Sequence, residues 1–157
     1  MPKIDVDSVP ERKGSGYPAP FHEIAKDRSR KPLGDAAGLT QFGVNLLTLP
    51  PGAGSSQRHW HSGEDEFVYV LSGELTLITD QGEQVLHAGN CAGFPKNDGD
   101  GHQLINRSDR IATCLEIGTR SADDVTMYSD VDMKIDRAKG GGFTHKDGSA
   151  YPARERG

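Results

Sequence analysis

The feature that most constrains the fold is a series of short β-rich runs separated by turn residues. No segment with helical periodicity interrupts the runs between residues 39 and 120. Runs rich in Val, Ile, Leu, Thr and aromatic residues, bounded by Gly, Pro, Asn and Asp, are typical of strands. They cover residues 41–49, 66–72, 74–79, 84–88, 102–106 and 111–118. This spacing predicts an all-β fold, an antiparallel sandwich or barrel, and excludes a parallel α/β fold.

The flanking segments are more polar and are broken by proline and glycine. We therefore predict an N-terminal arm over residues 1–36, a β-barrel over 37–120 and a C-terminal arm over 121–157. Both arms are expected to be irregular, apart from a short helical turn in the stretch PFHEIAKDR. A chain of 157 residues can form one domain with its own core, without disulfides or metal for stability.

Charge and composition narrow the class of partner. The net charge of 18 − 23 = −5 disfavours nucleic acid and anionic membranes, and no DNA-binding motif is present. No apolar run reaches the ~18 residues of a membrane-spanning helix. The polar first fourteen residues do not resemble a secretory signal. We expect a cytoplasmic protein with a small-molecule partner, and we interpret Cys91 and Cys114 as small buried apolar residues rather than a disulfide.

The stretch HWHSGEDEFVYVLSG, residues 59–73, contains a candidate metal site. Side chains alternate along a strand, so His59 and His61 project to the same face. Among the acidic residues that follow, Glu66 begins the next regular run and would be held rigidly, whereas Glu64 lies in the turn and is expected to be solvated. A third imidazole, His102, follows in GNCAGFPKNDGDGHQLIN. The other reading is that these are polar residues at the edge of an ordinary strand.

Both stretches resemble the two sequence motifs of the cupin superfamily. The first motif, HxH, four residues, Glu, six residues, Gly, is matched by His59, His61, Glu66 and Gly73. The second motif requires a glycine, a proline, a further glycine, a histidine and an asparagine at set spacings. It is matched by Gly89, Pro95, Gly99, His102 and Asn106, with two extra residues between Pro95 and Gly99. The resemblance is to small single-domain bacterial cupins.

The resemblance implies a single cupin barrel, a double-stranded β-helix or jelly roll, with a metal inside it. Its ligands would be His59, His61, Glu66 and His102. Such donors suit one divalent transition metal ion, whether Fe, Mn, Ni, Zn, Co or Cu, and leave two coordination positions open. The alternative is a barrel that keeps the histidines but binds no metal.

A metal with open positions favours a metal-dependent enzyme. The expected reaction is that of an isomerase, hydratase or lyase acting on a small polar metabolite, such as a sugar acid or a hydroxy or keto acid. An Fe(II) dioxygenase is an alternative function. A non-catalytic barrel that binds or senses a small molecule is another.

The substrate pocket is predicted from strand alternation. Val68 continues the inward face of Glu66, and Phe94 and Leu104 are expected to complete an apolar wall. Gln57 shares the face of His59 and His61 and would orient the substrate. Glu116 is a candidate general base if its face of the last strand points inward, and a solvated residue if it points outward.

The run at residues 66–72 is apolar on both faces. Phe67, Tyr69 and Leu71 lie on the face opposite to Glu66, so both sides of this strand need cover. We predict that the terminal arms or a second subunit covers the outer face, with a homodimer favoured.

Overall fold

The structure is a computed structural model that describes residues 2–154, and it consists mainly of antiparallel strands. Within those residues there is a single short α-helix, α1 (Leu33–Ala36), and there are three 3-10 turns, at Val6–Ser8, Glu23–Ala25 and Arg137–Lys139. The strands are β1 (Arg12–Lys13), β2 (Ser29–Pro32), β3 (Phe42–Leu49), β4 (His59–His61), β5 (Glu66–Ser72), β6 (Glu74–Thr79), β7 (Gly82–His87), β8 (Cys91–Phe94), β9 (Gln103–Ile105), β10 (Ala112–Thr119), β11 (Val125–Tyr128), β12 (Lys134–Asp136) and β13 (Phe143–Thr144).

The predicted all-β class is confirmed, and the six predicted runs correspond to β3, β5, β6, β7, β9 and β10. The bounds of β5 and β6 agree with the prediction, and those of the other four differ by one or two residues at their ends. Repeated turn residues mark these ends in the sequence, so the strand boundaries could be located from local chemistry.

Three antiparallel sheets make up the fold. The largest has the strand order β1-β2-β3-β10-β5-β8, a second has the order β13-β12-β11-β4, and a third has the order β7-β6-β9. Long-range pairing therefore places β10, late in the chain, between β3 and β5. This arrangement encloses the core and brings the ends of several strands to one site.

Both terminal segments contribute strands that the sequence did not indicate. In the N-terminal segment β2 pairs with β3, and in the C-terminal segment β11 pairs with β4, the strand that carries the HxH pair. These strands are two to four residues long and are mostly polar, so they leave little periodic signal. The division at residues 36 and 120 stays a prediction.

The core lies between the sheets and follows strand alternation. On β5, Val68 and Val70 are buried, while the residues between them face outward. They pack in a cluster with Leu47, Leu75 and Cys114 from neighbouring strands. A second, aromatic cluster joins the terminal segments to each other. It includes Tyr17, Tyr128, Met133 and, partly buried, Phe143.

The glycine that ends the first motif has a steric reason. Gly73 has φ of +76°, a left-handed conformation that is strained for other residues. A Cβ atom there would lie 2.8 Å from the carbonyl oxygen of Ile111 and 2.9 Å from the Cα of Ala112. The tight turn between β5 and β6 therefore requires glycine, both for its backbone angle and for its lack of a side chain.

The two cysteines differ, and the interpretation of both as buried was wrong for one of them. Cys114 is buried in the core, and burial raises the pKa of its thiol. Cys91 is exposed because it begins β8, which lies at the edge of the largest sheet. Both are free thiols.

In the described part of the chain, residues 2–154, no helix is long and apolar enough to cross a membrane.

Candidate metal centre

Three imidazoles converge on one carboxylate. His102 Nε2 lies 2.7 Å from Glu66 Oε2, and His59 Nε2 lies 3.5 Å from the same oxygen. His61 Nε2 lies 3.4 Å from the other carboxylate oxygen, Oε1. Strand β4 supplies two of these side chains, β5 supplies the carboxylate, and the residue before β9 supplies the third imidazole.

A short backbone pairing brings the two sequence motifs together. The amide of His59 donates to the carbonyl of His102 at 3.2 Å, and the amide of His102 donates back at 2.9 Å. Asn106 holds the chain that follows His102. Its fully buried side-chain amide donates to the carbonyls of Leu49 and Arg110 at 2.8 and 2.6 Å. The asparagine of the second motif therefore shapes the chain and does not face the imidazoles.

Two of the imidazoles are oriented by hydrogen bonds at their far nitrogen. His59 Nδ1 lies 2.9 Å from the carbonyl oxygen of Gln57, and His61 Nδ1 lies 2.7 Å from Asp124 Oδ2. Each acceptor favours a proton on Nδ1, so Nε2 is the nitrogen that can release its proton and offer a lone pair to a metal beside Glu66. Metal-binding histidines in proteins are usually held in this way.

The polar atoms at the centre fit a cation better than they fit one another. Glu66 Oε2 is buried and forms no hydrogen bond, although imidazole nitrogens approach it. His102 Nδ1 is also buried without a partner among the described residues. A buried carboxylate oxygen without a hydrogen bond is costly unless something positive lies against it. The donor set and this orphaned oxygen both fit a divalent transition metal.

Protonation of these groups depends on their mutual contacts. Burial alone would raise the pKa of Glu66, but the three facing imidazoles hold it well below its ordinary value. Burial opposes the charged form of His61, but Glu66 and Asp124 outweigh it and raise the pKa of His61 to about 9. Burial lowers the pKa of His102 below its ordinary value, and the charges of His59 and His61 add to this effect.

The predicted ligands meet at one place, three of them most closely. One ligand atom from each of His59, His61 and Glu66 lies within 4.8 Å of the others. His102 does not join that set at the same limit, but it contacts Glu66 and is 8% exposed, so it faces the interior. The four-ligand set stays a prediction.

Of two buried acidic residues behind His61, Asp124 was not predicted and Glu64 was predicted wrongly. Asp124 is fully buried, and besides its contact with His61 its other oxygen accepts from the amide of Gly63 at 2.9 Å. Glu64 was expected to be solvated, and this was wrong. It is 6% exposed, forms an ion pair with Arg137 at 2.9 Å and accepts from the amide of Ser121. Asp124 belongs to the C-terminal segment, and the partners of Glu64 lie in it. No local sequence pattern connects that segment to residues 59–66.

A small cavity, about 60 Å³, adjoins the centre. Of the residues predicted for the substrate pocket, Val68, Phe94 and Leu104 line it. Phe94 stacks on the ring of His102 with a centroid distance of 3.7 Å. Gln57 does not line this cavity: its side-chain amide donates to the carbonyl of Phe21 in the N-terminal segment at 3.0 Å.

Glu116 faces inward and is held by an arginine that the sequence did not single out. On β10 the inward residues are Ala112 and Cys114, and the same alternation carries Glu116 into the cavity wall. Arg30 Nε and Nη2 donate to its two carboxylate oxygens at 2.6 and 2.9 Å. Burial would lower the pKa of Arg30, but Glu116 outweighs it and keeps the pKa above its ordinary value.

Comparisons with known proteins agree with this architecture. The family model of the cupin domain matches residues 45–118. A crystal structure of a sugar phosphate isomerase from a cupin superfamily, from Silicibacter pomeroyi, is 51% identical, with a TM-score of 0.90 over 97% of this chain and 98% of that chain. A second crystal structure is of a protein from Acidithiobacillus ferrooxidans that is provisionally assigned as a sugar phosphate isomerase. It is 33% identical, with a TM-score of 0.71 over 82% of each chain.

A cupin protein from Bacteroides fragilis is similar at 28% identity, with a TM-score of 0.52 over 59% of this chain and 76% of that chain. A search of curated proteins gives no match. The first of these similarities covers nearly all of both chains at high identity, and the cupin model covers the strands that carry both motifs. The chain belongs to the cupin superfamily.

Proposed function

We propose that the chain is a metal-dependent isomerase that acts on a sugar phosphate. The observation that carries this proposal is the cavity in which His59, His102 and Glu66 adjoin a second carboxylate, Glu116. A pocket lined only by apolar groups would suit binding without turnover, whereas a further ionisable group next to a metal suits proton transfer. The similarity to two proteins described as sugar phosphate isomerases supports the choice of reaction and substrate.

The metal would be held by His59, His61, Glu66 and His102. A bound divalent ion supplies Lewis acidity, which polarises a carbonyl group and an adjacent hydroxyl group of a sugar. The chain itself orients two of the imidazoles through the carbonyl of Gln57 and the carboxylate of Asp124. Val68, Phe94 and Leu104 limit water beside the reacting carbons.

Glu116 is proposed as the general base. Interconversion of an aldose and a ketose moves one proton from C2 to C1 and another between the two oxygens, so no atom is gained or lost. Glu116 is the carboxylate of the cavity outside the proposed ligand set. Its two hydrogen bonds from Arg30 fix its orientation, so the oxygen that receives the proton stays in place.

Solvent exchange would test this proposal. The metal-loaded protein is incubated in D2O with a panel of aldose and ketose phosphates, and NMR follows deuterium at C2 and the formation of product. The proposal predicts exchange and isomerisation of at least one member of the panel. Neither reaction with any member, in protein that contains stoichiometric metal, would contradict the proposed function.

The variant Glu116→Gln tests the role of the base. It keeps the shape of the side chain but cannot accept the proton, so kcat should fall by roughly 10²- to 10⁴-fold while the metal content is unchanged. Glu83→Gln is the matched control, because Glu83 is exposed and pairs with Arg107 on the surface. Full activity in Glu116→Gln would remove Glu116 from the reaction.

A homodimer is proposed for the outer face of β5. Phe67, Tyr69 and Leu71 are 38%, 40% and 44% exposed, so the described part of the terminal arms leaves this face open. Light scattering should give the mass of two chains, and Tyr69→Glu should give the mass of one. Val85→Glu, at an apolar residue of β7 that is 51% exposed, is the control and should stay dimeric. A one-chain mass for the unmodified protein would contradict the dimer.

A further inference from the structure

A second cavity beside the metal site is markedly basic. It has a volume of about 410 Å³ and lies between the N-terminal segment and β3. Its charged lining residues are all cationic: Arg12, Lys13, Arg28 and Arg30. No carboxylate is among the described residues that line it. In a chain with a net charge of −5, four cations around one cavity do not follow from composition.

Arg28 contributes a buried charge without a counter-charge. It is 8% exposed, and its guanidinium donates to two neutral acceptors, the carbonyls of Gly14 and Ser55. Within residues 2–154 it forms no ion pair, whereas the neighbouring Arg30 is matched by Glu116. Burial, and then repulsion from Arg30, lower the pKa of Arg28 to about 10. A buried cation in this setting is stabilised by an anion brought from outside.

Two further cations stand at the opening of this cavity. Arg12 and Lys13 form the short strand β1, which pairs through its backbone with β2. Both side chains are exposed, and neither forms an ion pair with a described residue. A planar guanidinium binds the oxygens of a phosphate in pairs, and a lysine adds a mobile point charge. The set is therefore suited to a phosphate dianion.

Arg30 lines this basic cavity and the metal cavity as well. The metal cavity, about 60 Å³, is well below the roughly 300 Å³ or more of ordinary small-molecule sites. It can hold the reacting carbons of a substrate but not a whole sugar phosphate. The rest of the substrate must extend beyond this cavity. Arg30 connects it to the basic cavity, where positive charges that can bind a phosphate are already present.

We propose that the basic cavity binds the phosphate group of a substrate whose sugar end reaches the metal cavity past Arg30. The link to a substrate depends on the proposed isomerase function, but the affinity for phosphate does not. Arg28 and Arg30 would form the floor of this subsite, and Arg12 and Lys13 would close over the phosphate from the opening.

Calorimetry with inorganic phosphate, glucose and glucose 6-phosphate tests the subsite on the metal-loaded protein. The double variant Arg12→Gln/Lys13→Gln removes two exposed cations from a strand held by backbone pairing, so the fold should be kept. Arg107→Gln/Lys139→Gln is the matched control, with the same change of charge at exposed residues outside the cavity. Thermal unfolding checks that both variants are folded.

Inorganic phosphate should bind the unmodified protein and the control with equal affinity. The double variant Arg12→Gln/Lys13→Gln, called the cavity variant below, should bind it at least about tenfold more weakly. Glucose 6-phosphate should bind at least as tightly as inorganic phosphate, and glucose should bind far more weakly than either. Absence of phosphate binding, or equal affinity in the cavity variant and the control, would overturn the subsite. Phosphate that binds equally well in both variants would be a surface ion only.

Turnover separates this inference from the function on which it depends. In an active enzyme, the cavity variant should raise KM for the sugar phosphate by about tenfold with little change in kcat or in metal content. An unchanged KM would refute the subsite and leave the isomerase intact. Phosphate binding that depends on Arg12 and Lys13, in a protein without isomerase activity, would refute the proposed function and leave the anion site.

Discussion

The barrel strands and the terminal segments divide the site between them. The candidate metal ligands come from residues 59–102, on or next to β4, β5 and β9. Several groups that orient and charge the site come from the chain ends: Asp124 contacts His61, and Arg30 pairs with Glu116. The barrel therefore provides the donors, and the terminal segments provide much of their electrostatic environment.

The terminal contributions are buried as deeply as the ligands. The side chain of Asp124 is 0% exposed, compared with 27% for Glu66. Arg28, from the N-terminal segment, is also buried, and Tyr17 and Tyr128 pack edge to face with their centroids 5.7 Å apart. These segments are thus part of the folded domain, and their removal would expose charged groups of the site.

Loss of a barrel ligand should have the largest effect. His61→Ala removes one of the three closely grouped donors, so metal content should fall from about one ion per chain to less than about a tenth. Elemental analysis of protein purified without added metal measures this. His87→Ala is the control, since His87 is exposed on β7, and it should keep full occupancy. Full occupancy in His61→Ala would contradict the ligand assignment.

The barrel and the C-terminal segment should also differ in how much a glycine substitution lowers the free energy of unfolding. Gly73→Ala, in the barrel, combines a left-handed backbone with close contacts to Ile111 and Ala112, and should lower the free energy of unfolding by about 2–4 kcal/mol. Gly140→Ala, in the C-terminal segment, has φ of +102° but no atom within 4 Å of the added Cβ, and should cost about 1 kcal/mol. Urea unfolding compares them, and equal losses would show that packing around Gly73 relaxes.

Loss of a contact from the C-terminal segment should reduce metal affinity less than loss of a ligand does, but by a measurable amount. Asp124→Asn keeps the shape of the side chain and removes the charge behind His61, and metal affinity should fall by about 10- to 100-fold. Competition with a chelator at pH 9 measures this, and thermal unfolding confirms that the variant is folded. Asp123→Asn, at an exposed neighbour, is the matched control. Equal affinities in the two variants would show that Asp124 only supports the fold.

The difference between the regions also explains what could be predicted from the sequence. The predicted ligands lie on two motifs with defined spacing, and strand alternation places Val68 on an inward face, whereas the face of Glu116 was left open until the structure showed it inward. Asp124, Arg28 and Arg30 lie in polar segments far from the motifs, and only long-range strand pairing brings them to the site. Gln57 has the parity of the ligands, but its amide bonds to Phe21 instead. Parity gives the face of a side chain and not its partner.

The dependence of metal affinity on pH should sharpen this division. Burial opposes a proton on His61, but Glu66 and Asp124 raise its pKa to about 9, so an incoming metal ion must displace a proton below that pH. Affinity should therefore rise by about tenfold per pH unit up to pH 9 and then level off. A chelator titration from pH 6 to pH 10, with correction for the proton equilibria of the chelator, measures this.

The Asp124→Asn variant separates the two carboxylates in that profile. Without the charge of Asp124 the pKa of His61 should lie lower, so affinity should level off at a lower pH and at a lower maximum. The terminal segment would then favour metal binding at high pH while increasing competition from protons near neutrality. An unchanged profile in Asp124→Asn would assign the raised pKa of His61 to Glu66, a residue of the barrel, and would leave the C-terminal segment with a purely orienting role.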